Sequence, residues 1–232
     1  MTIRLYELVC ANGRSLSPYV WRIKYALAHK KLDFETIPVG FTEIPDLCGG
    51  KYKTVPIIED GATTVCDSWA IADYLDTAYP DNPKLFSSVQ ERAMCRFFDS
   101  WFGLEIMSRI FSINALDIHN HARKQDQAYF RKSRETRIGG MTLEKFVENR
   151  EARLPELNHA LRPMRAALTA TPFLAGDKPN YADYIALGGF IWAGSICTTP
   201  LLESDDKLND WLERGFSLYN NLGKVERYPL SA

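Results

Sequence analysis

Two serines near the amino terminus stand where a hydroxyl group can stabilise an anion. Ser17 precedes Pro18 and an apolar run with helical spacing, which predicts Ser17 as the N-cap of a helix. The amino end of a helix presents free N–H groups and the positive end of the helix dipole, and both favour a bound anion. Ser15 lies two residues earlier in a loop and can reach the same position. Ser17 is therefore our first candidate, and Ser15 is the alternative.

Further candidates lie between residues 53 and 68. Val55-Pro56 opens a strand-like segment, and Asp67-Ser68 precedes an apolar helical run, where both residue types are favoured caps. Lys53 lies in the loop before this strand and could hold a carboxylate, with Lys51 equally placed. Each has a purely structural interpretation as well: an edge-strand proline, a helix cap and a solvated lysine.

The candidate residues lie in a segment with a regular order of predicted strands and helices. A strand at residues 3–8, the helix after Ser17 and a strand at residues 34–39 form a βαβ unit with parallel pairing. Two short strands joined at Asp60-Gly61 predict an antiparallel hairpin, followed by a helix that ends before Pro80. Residues 1–79 are therefore predicted to form one βαβ-ββα domain.

The rest of the chain has a different pattern. Residues 80–88 are rich in proline, serine and aspartate and predict a linker. Beyond them we find only helical periodicity, at 90–118, 127–138, 143–169, 181–196 and 205–222, with breaks expected near Pro155 and Pro163. The predicted fold class is an α+β domain followed by an all-α domain at residues 89–232.

Composition narrows the class of protein. The chain has 232 residues, 46% of them apolar, and a formal net charge of −1, which supports packed cores but not binding to nucleic acid or an anionic membrane. No apolar run approaches the roughly 20 residues of a membrane span. Five cysteines without a C-x-x-C spacing favour a reducing compartment, so we expect a cytoplasmic protein. His119 and His121 complete no metal-ligand pattern, and we expect no metal.

Taken together, these motifs resemble the glutathione S-transferases over essentially the whole chain. Within that superfamily, three segments are most similar to the etherase-like class, which includes bacterial β-etherases and fungal relatives. They are Ser17-Pro18-Tyr19-Val20-Trp21-Arg22, Asp67-Ser68-Trp69 and Pro179-Asn180-Tyr181-Ala182-Asp183-Tyr184. The resemblance implies a thioredoxin-like domain that binds glutathione, a helical domain, and a homodimer.

The resemblance also implies roles for the candidate residues. Ser17 would donate a hydrogen bond to the thiolate of glutathione, whose pKa the helix terminus lowers, as it does for cysteines in that position. A cis peptide before Pro56 would expose the backbone of Val55 to the cysteinyl unit. Asp67 and Ser68 would hold the γ-glutamyl group, and Lys53 the glycyl carboxylate. Thr54 stands where many relatives carry glutamine or a basic residue, so this part of the pocket departs from their pattern.

The resemblance further implies a site for a second, aromatic substrate between the two domains. Aromatic residues crowd the first helix after the linker and adjoin the loop after the first strand, although each is also a plausible core residue. The candidates for this substrate site are Tyr19, Phe41, Trp101, Phe102, Met107, Phe111 and Trp192.

We therefore hypothesise that the protein is a glutathione transferase, in which the glutathione thiolate attacks aromatic electrophiles. The more specific hypothesis is that the reaction cleaves β-aryl ethers. The alternative is a non-catalytic carrier of aromatic ligands with the same fold. A thiol reductase would need a cysteine at the position of Ser17, and Cys10 comes too early in the chain. Asn180 and Asp183 form a capping pattern that predicts a role in stability rather than in chemistry.

Overall fold

The first structural unit is a four-stranded mixed sheet with its helices. In the computed structural model, which describes residues 2–225, the strands are β1 (Ile3–Leu8), β2 (Phe34–Val39), β3 (Ile57–Asp60) and β4 (Thr63–Cys66). Their order is β2-β1-β3-β4, with β1 and β2 parallel and the other neighbours antiparallel. Met1 and residues 226–232, which the sequence assigned to the ends of the two domains, lie outside the described residues.

Two helices belong to this sheet, and the remaining helices form the second part of the chain. The helices, in chain order, are α1 (Pro18–His29), α2 (Ser68–Ala78), α3 (Val89–Trp101), α4 (Ser108–His121), α5 (Lys124–Arg137), α6 (Leu143–Phe146), α7 (Leu154–Ala160), α8 (Arg162–Ala167), α9 (Tyr181–Ile196) and α10 (Leu208–Asn221). A π-helical segment, Phe102–Met107, joins α3 to α4, and 3₁₀ turns lie at Ile44–Gly50 and Arg150–Arg153. The predicted fold class, a thioredoxin-like domain followed by an all-α domain, is confirmed.

Local signals explain most of these boundaries. Ser17 and Asn180 cap α1 and α9 with their side chains, as their positions predict. Pro155 and Pro163 stand in the first turns of α7 and α8, so the predicted stretch 143–169 is broken into short helices. Residues 79–88, between α2 and α3, contain turns, bends and irregular chain. That this segment separates two domains stays a prediction. Within residues 2–225, none of the helices is long and apolar enough to cross a membrane.

The two parts of the chain pack through α1 and α9. Gly188 on α9 makes this contact close, since a Cβ there would lie 2.5 Å from the backbone oxygen of Pro18. The α9 helix is buried along nearly its whole length. The start of α1, where Ser17 lies, is therefore held against the centre of the helical domain.

Candidate functional site

The sheet topology brings three of the predicted motifs to one edge. Tyr6, near the end of β1, pairs with Ile57 at the start of β3, and Ile57 pairs with Cys66 at the end of β4. The loop after β1 leads to Ser17, β3 follows Pro56, and Asp67 follows β4. The backbone N–H of Asp67 donates to the carbonyl of Pro56 at 3.2 Å, which ties two of these segments together.

Ser17, the first candidate, is the N-cap of α1. Its side chain is buried and its Oγ accepts from the N–H of Val20 at 3.3 Å. A serine hydroxyl has one hydrogen and two lone pairs, so this N-cap bond leaves the O–H able to donate. The capping and the anion-binding interpretations of Ser17 are therefore compatible.

Ser15 is buried too, in a different setting. Its backbone forms a bridge with Val9, and Leu16 N–H donates to the carbonyl of Leu8 at 2.7 Å, so the loop folds back along β1. The Oγ of Ser15 is fully buried and has no hydrogen-bond partner among residues 2–225. A buried hydroxyl without a partner is costly, so Ser15 remains the alternative to Ser17.

The segment before β3 carries the backbone feature expected of it. The Val55–Pro56 peptide is cis, which confirms that part of the prediction. Val55 is half-buried and Pro56 is buried, whereas Lys53 and Thr54 are exposed. The Cys66 thiol donates to the carbonyl of Thr54 at 3.3 Å and holds this loop against the end of β4.

Asp67 and Ser68 form the amino end of α2. Asp67 is the N-cap, and its Oδ1 accepts from the N–H groups of Trp69 and Ala70 at 3.0 Å each. Ser68 is buried, and its carbonyl accepts from the Tyr181 hydroxyl at 2.8 Å. The end of this helix is thereby linked to α9 of the helical domain.

A buried ion pair that the sequence did not predict lies near the Tyr181–Ser68 hydrogen bond. Arg22 on α1 is almost completely buried, and its Nη1 lies 2.6 Å from Asp99 Oδ1 on α3. Burial raises the pKa of the Tyr181 hydroxyl; the charge of Arg22 lowers it and that of Asp99 raises it, so the pair lies within electrostatic range of the Tyr181–Ser68 contact. An arginine inside the apolar run of α1 was the available signal, but its partner is 77 residues away.

The predicted aromatic residues occupy several environments. Tyr19 is 42% exposed and lies under the guanidinium of Arg22, with 4.6 Å between Cζ and the ring centroid. Phe41 is buried against Phe130 of α5, with ring centroids 5.3 Å apart. Phe111, half-buried, packs on Phe146.

The other four lie in or near the helical core. Phe102 and Met107 are buried where a Cβ on Gly189 of α9 would meet them, at 3.0 and 2.9 Å. Trp101 is half-buried. Trp192 is buried, with its indole Nε1 unpartnered among the described residues. A cavity of about 290 Å³ is lined by α9, α10 and the loop between them, and none of the predicted substrate residues lines it. Their common role in one substrate site stays a prediction.

Comparison with known proteins identifies the class that this fold and site define. The family model described as the N-terminal domain of glutathione S-transferase matches residues 16–78, and the model of the C-terminal domain matches residues 93–213. The second match alone covers more than half of the 232 residues. The chain belongs to the glutathione S-transferase family.

Curated glutathione S-transferases are also similar to part of this chain. A glutathione S-transferase of Dianthus caryophyllus is 36% identical over 91 residues, which cover 34% of this chain and 38% of that protein. Glutathione S-transferase Z1 of Arabidopsis thaliana is 39% identical over 79 residues, 32% of this chain and 35% of that protein. The chain thus spans little more than a third of the length of these curated relatives.

Two solved fungal structures match over nearly the whole chain. A glutathione transferase from Phanerochaete chrysosporium is 26% identical with a TM-score of 0.76, and the match covers 95% of this chain and 92% of that one. A glutathione S-transferase of Ceriporiopsis subvermispora, crystallised in complex with glutathione, has a TM-score of 0.78 at 24% identity, over 95% and 99% of the two chains. The latter likeness shows the fold alone.

Proposed function

We propose that the protein is a glutathione transferase in which Ser17 stabilises the glutathione thiolate. The observation that carries this proposal is the convergence of Ser17, the cis Val55–Pro56 peptide and the Asp67-Ser68 helix terminus at one edge of the sheet. The membership of the chain in the glutathione S-transferase family supports it.

Each part of glutathione has a matching group at this edge. The backbone of Val55 pairs with the cysteinyl unit in the manner of an added strand. The amino end of α2 and the hydroxyl of Ser68 bind the γ-glutamyl carboxylate, and Asp67 attracts the ammonium group. Lys53, exposed in the preceding loop, reaches the glycyl carboxylate. These contacts would place the sulfur at the amino end of α1.

The chemistry follows from that position. The dipole and free N–H groups of α1 favour the anion, and the Ser17 hydroxyl donates to it, so bound glutathione loses its thiol proton near neutral pH. The thiolate attacks an electrophilic carbon of an aromatic compound, a C–S bond forms, and the leaving group departs with the bonding electron pair. In the more specific form of the proposal, the substrate is a β-aryl ether ketone and the leaving group is a phenolate. The resemblance of residues 17–22 to the etherase-like class supports this form.

A homodimer is part of the proposal. Met94 on α3 is 63% exposed, Phe97 67% and Leu104, in the π-helical segment, 74%; their helical spacing forms one apolar stripe, which also passes Trp101. We infer that a second copy of the chain covers this stripe. Sedimentation of the protein at micromolar concentration should show a dimer, and Phe97→Glu should shift it toward the monomer. A monomeric starting protein would contradict the inference.

The test of function compares two substrates and two serine variants. The protein is incubated with glutathione and either chlorodinitrobenzene or a fluorogenic β-aryl ether ketone. Ser17→Ala should lower kcat on the order of 10²-fold, as when one donor to a developing anion is removed. Ser15→Ala is the matched control, since it deletes a nearby buried hydroxyl.

The outcomes separate the alternatives. Phenol release that needs both glutathione and Ser17 supports the etherase, whereas conjugation of chlorodinitrobenzene alone leaves a general transferase. A large loss in Ser15→Ala with none in Ser17→Ala would assign the role to Ser15. Binding of glutathione or aromatics with no turnover of either substrate would favour the carrier.

A further inference from the structure

Two of the five cysteines differ from the others in exposure. Cys10, Cys95 and Cys197 are buried, whereas Cys48 and Cys66 are half-buried, and all five are free thiols. Burial raises the pKa of Cys10 and Cys95 to about 12. Burial raises the pKa of Cys48 and Cys66 as well, but these two thiols are accessible and are therefore the ones open to oxidation.

Both cysteines lie on the same face of the sheet. Cys66 on β4 pairs with Ile57 on β3, and Glu59 lies two residues along β3, so Glu59 and Cys66 are diagonal neighbours on one face. Such neighbours are separated by about 7 to 8 Å. The Cys48 thiol donates to Glu59 Oε1 at 3.6 Å, which places Cys48 over this face. The two thiols are also within electrostatic range, since Cys66 is one of the groups that raise the pKa of Cys48.

The segment that carries Cys48 contains two consecutive glycines. Cys48, Gly49 and Gly50 all have positive φ, at 50°, 71° and 78°. Two consecutive glycines need little energy to change conformation, and a Cβ on Gly49 would meet nothing within 4 Å. A disulfide needs Cα atoms within about 7 Å, and movement of this segment can supply the remaining approach.

Cys66 is attached to the candidate glutathione site at two points. Its thiol donates to the carbonyl of Thr54, directly before the cis Val55–Pro56 peptide, and it directly precedes Asp67, the cap of α2. A new bond from Cys66 would remove the hydrogen bond to Thr54 and pull the segment 48–54 across the sheet.

We propose that Cys48 and Cys66 form a disulfide when the protein meets oxidised glutathione, and that this bond weakens glutathione binding. The second half of this statement rests on the proposed function; the first does not. In the reaction, one cysteine thiolate attacks a sulfur of glutathione disulfide and releases one glutathione. The other cysteine attacks the protein sulfur of the mixed disulfide and releases the second. Two protein thiols are oxidised, one glutathione disulfide is reduced, and the two thiol protons pass to the released glutathione molecules.

The cross-link can be read directly by mass spectrometry of the full chain after incubation with glutathione disulfide. Trypsin cleaves after Lys51 and Lys53, so the cysteines fall in separate peptides, 32–51 and 54–84. We expect a protein lighter by two hydrogens and a joined pair of these peptides. Cys48→Ser and Cys66→Ser should each abolish the joined pair, while Cys197→Ser, a buried control, should keep it.

The rate of cross-linking in a Glu59 variant tests whether Cys48 reacts as a thiolate. Burial, and after it the charge of Glu59, raises the pKa of the Cys48 thiol. Glu59→Gln removes that charge, increases the thiolate fraction near pH 7.5 and should speed cross-linking, and the rate in the unmodified protein should rise from pH 7 to pH 9. An unchanged rate in Glu59→Gln would show that the charge of Glu59 does not limit the reaction of Cys48, and the absence of joined peptides in both proteins would overturn the assignment.

Glutathione binding is then titrated calorimetrically in the reduced, oxidised and re-reduced protein. Binding should be lost in proportion to the cross-link and return after a dithiol reductant. A mixed disulfide with glutathione as the final product, without the joined peptides, overturns the proposal. Full binding in the cross-linked protein overturns its second half, whereas a reduced protein that binds no glutathione overturns the proposed function and leaves the mass assay to decide the first half.

Discussion

Replacing Asp183 should damage stability and spare chemistry. Asp183, in the first turn of α9, is completely buried. Its Oδ1 accepts from the N–H of Leu174 at 3.0 Å and from Trp211 Nε1 at 2.9 Å, and its Oδ2 accepts from the N–H of Asn180 at 3.1 Å. Burial raises the pKa of this carboxyl, and the surrounding donors oppose that rise. One side chain therefore joins the helix cap, the preceding loop and α10.

The expected magnitude follows from the donors that Asp183→Ala leaves behind. Loss of the cap interaction costs about 1 kcal/mol. Trp211 is fully buried, so its orphaned N–H costs about 1 to 3 kcal/mol, and the N–H of Leu174 adds about 1 kcal/mol because it is only partly buried. We expect a loss of about 3 to 5 kcal/mol in the free energy of unfolding, which lowers Tm by roughly 10 °C for a chain of this size.

Denaturant unfolding with Asp183→Asn as the matched control measures this effect. The asparagine oxygen still accepts from one or two donors, so about half of the loss should return. The specific activity of folded Asp183→Ala at low temperature should stay near that of the parent protein. Normal stability with lost activity would refute the reasoning and place Asp183 in the chemistry.

Two further predictions concern the packing of α1. Gly188→Ala should cost about 1 to 3 kcal/mol, because its Cβ would lie 2.5 Å from the backbone oxygen of Pro18, whereas Gly194→Ala, with open space at the same helix, should be neutral or slightly stabilising in denaturant unfolding. Equal effects would contradict the close contact. Burial lowers the pKa of His29, so its folded value lies below the unfolded value of about 6.5, and the stability it contributes is complete above that pH and is lost as the pH falls. The free energy of unfolding should decrease by at most about 1.4 kcal/mol per pH unit for this one proton, and this decrease should disappear in His29→Gln. A parent protein equally stable at pH 5 and pH 7 would contradict the prediction.

Several features were determined by short stretches of sequence. Ser17-Pro18 set the start of α1, Asn180 and Asp183 set the start of α9, and Asp60-Gly61 set the turn between β3 and β4. These signals act within four residues, because caps, prolines and tight turns are satisfied by the local backbone. The order of such elements was enough to predict the fold class, and the strand pairing shows that Ser17, Pro56 and Asp67 meet at one edge of the sheet.

Other features depended on partners far along the chain. Helical periodicity placed Phe102 and Met107 among candidate substrate residues, but only the tertiary structure shows them packed where Gly189 leaves room. The π-helical segment that carries both residues has no local signal comparable to a proline or a cap. Periodicity marks which face of a helix is apolar, and it does not say whether that face meets another helix, a ligand or a second copy of the chain.

The buried polar residues likewise depend on distant partners. The sequence presents Arg22 as a polar residue in an apolar helix and Cys48 as one of five scattered cysteines. Only the tertiary structure brings Arg22 to Asp99, 77 positions away, and Cys48 to the sheet face that holds Glu59 and Cys66. The local sequence decides where each helix and strand begins and ends, because those energies arise between near neighbours. Which side chains share a buried or reactive environment is decided by packing between distant segments, and that depends on the whole chain.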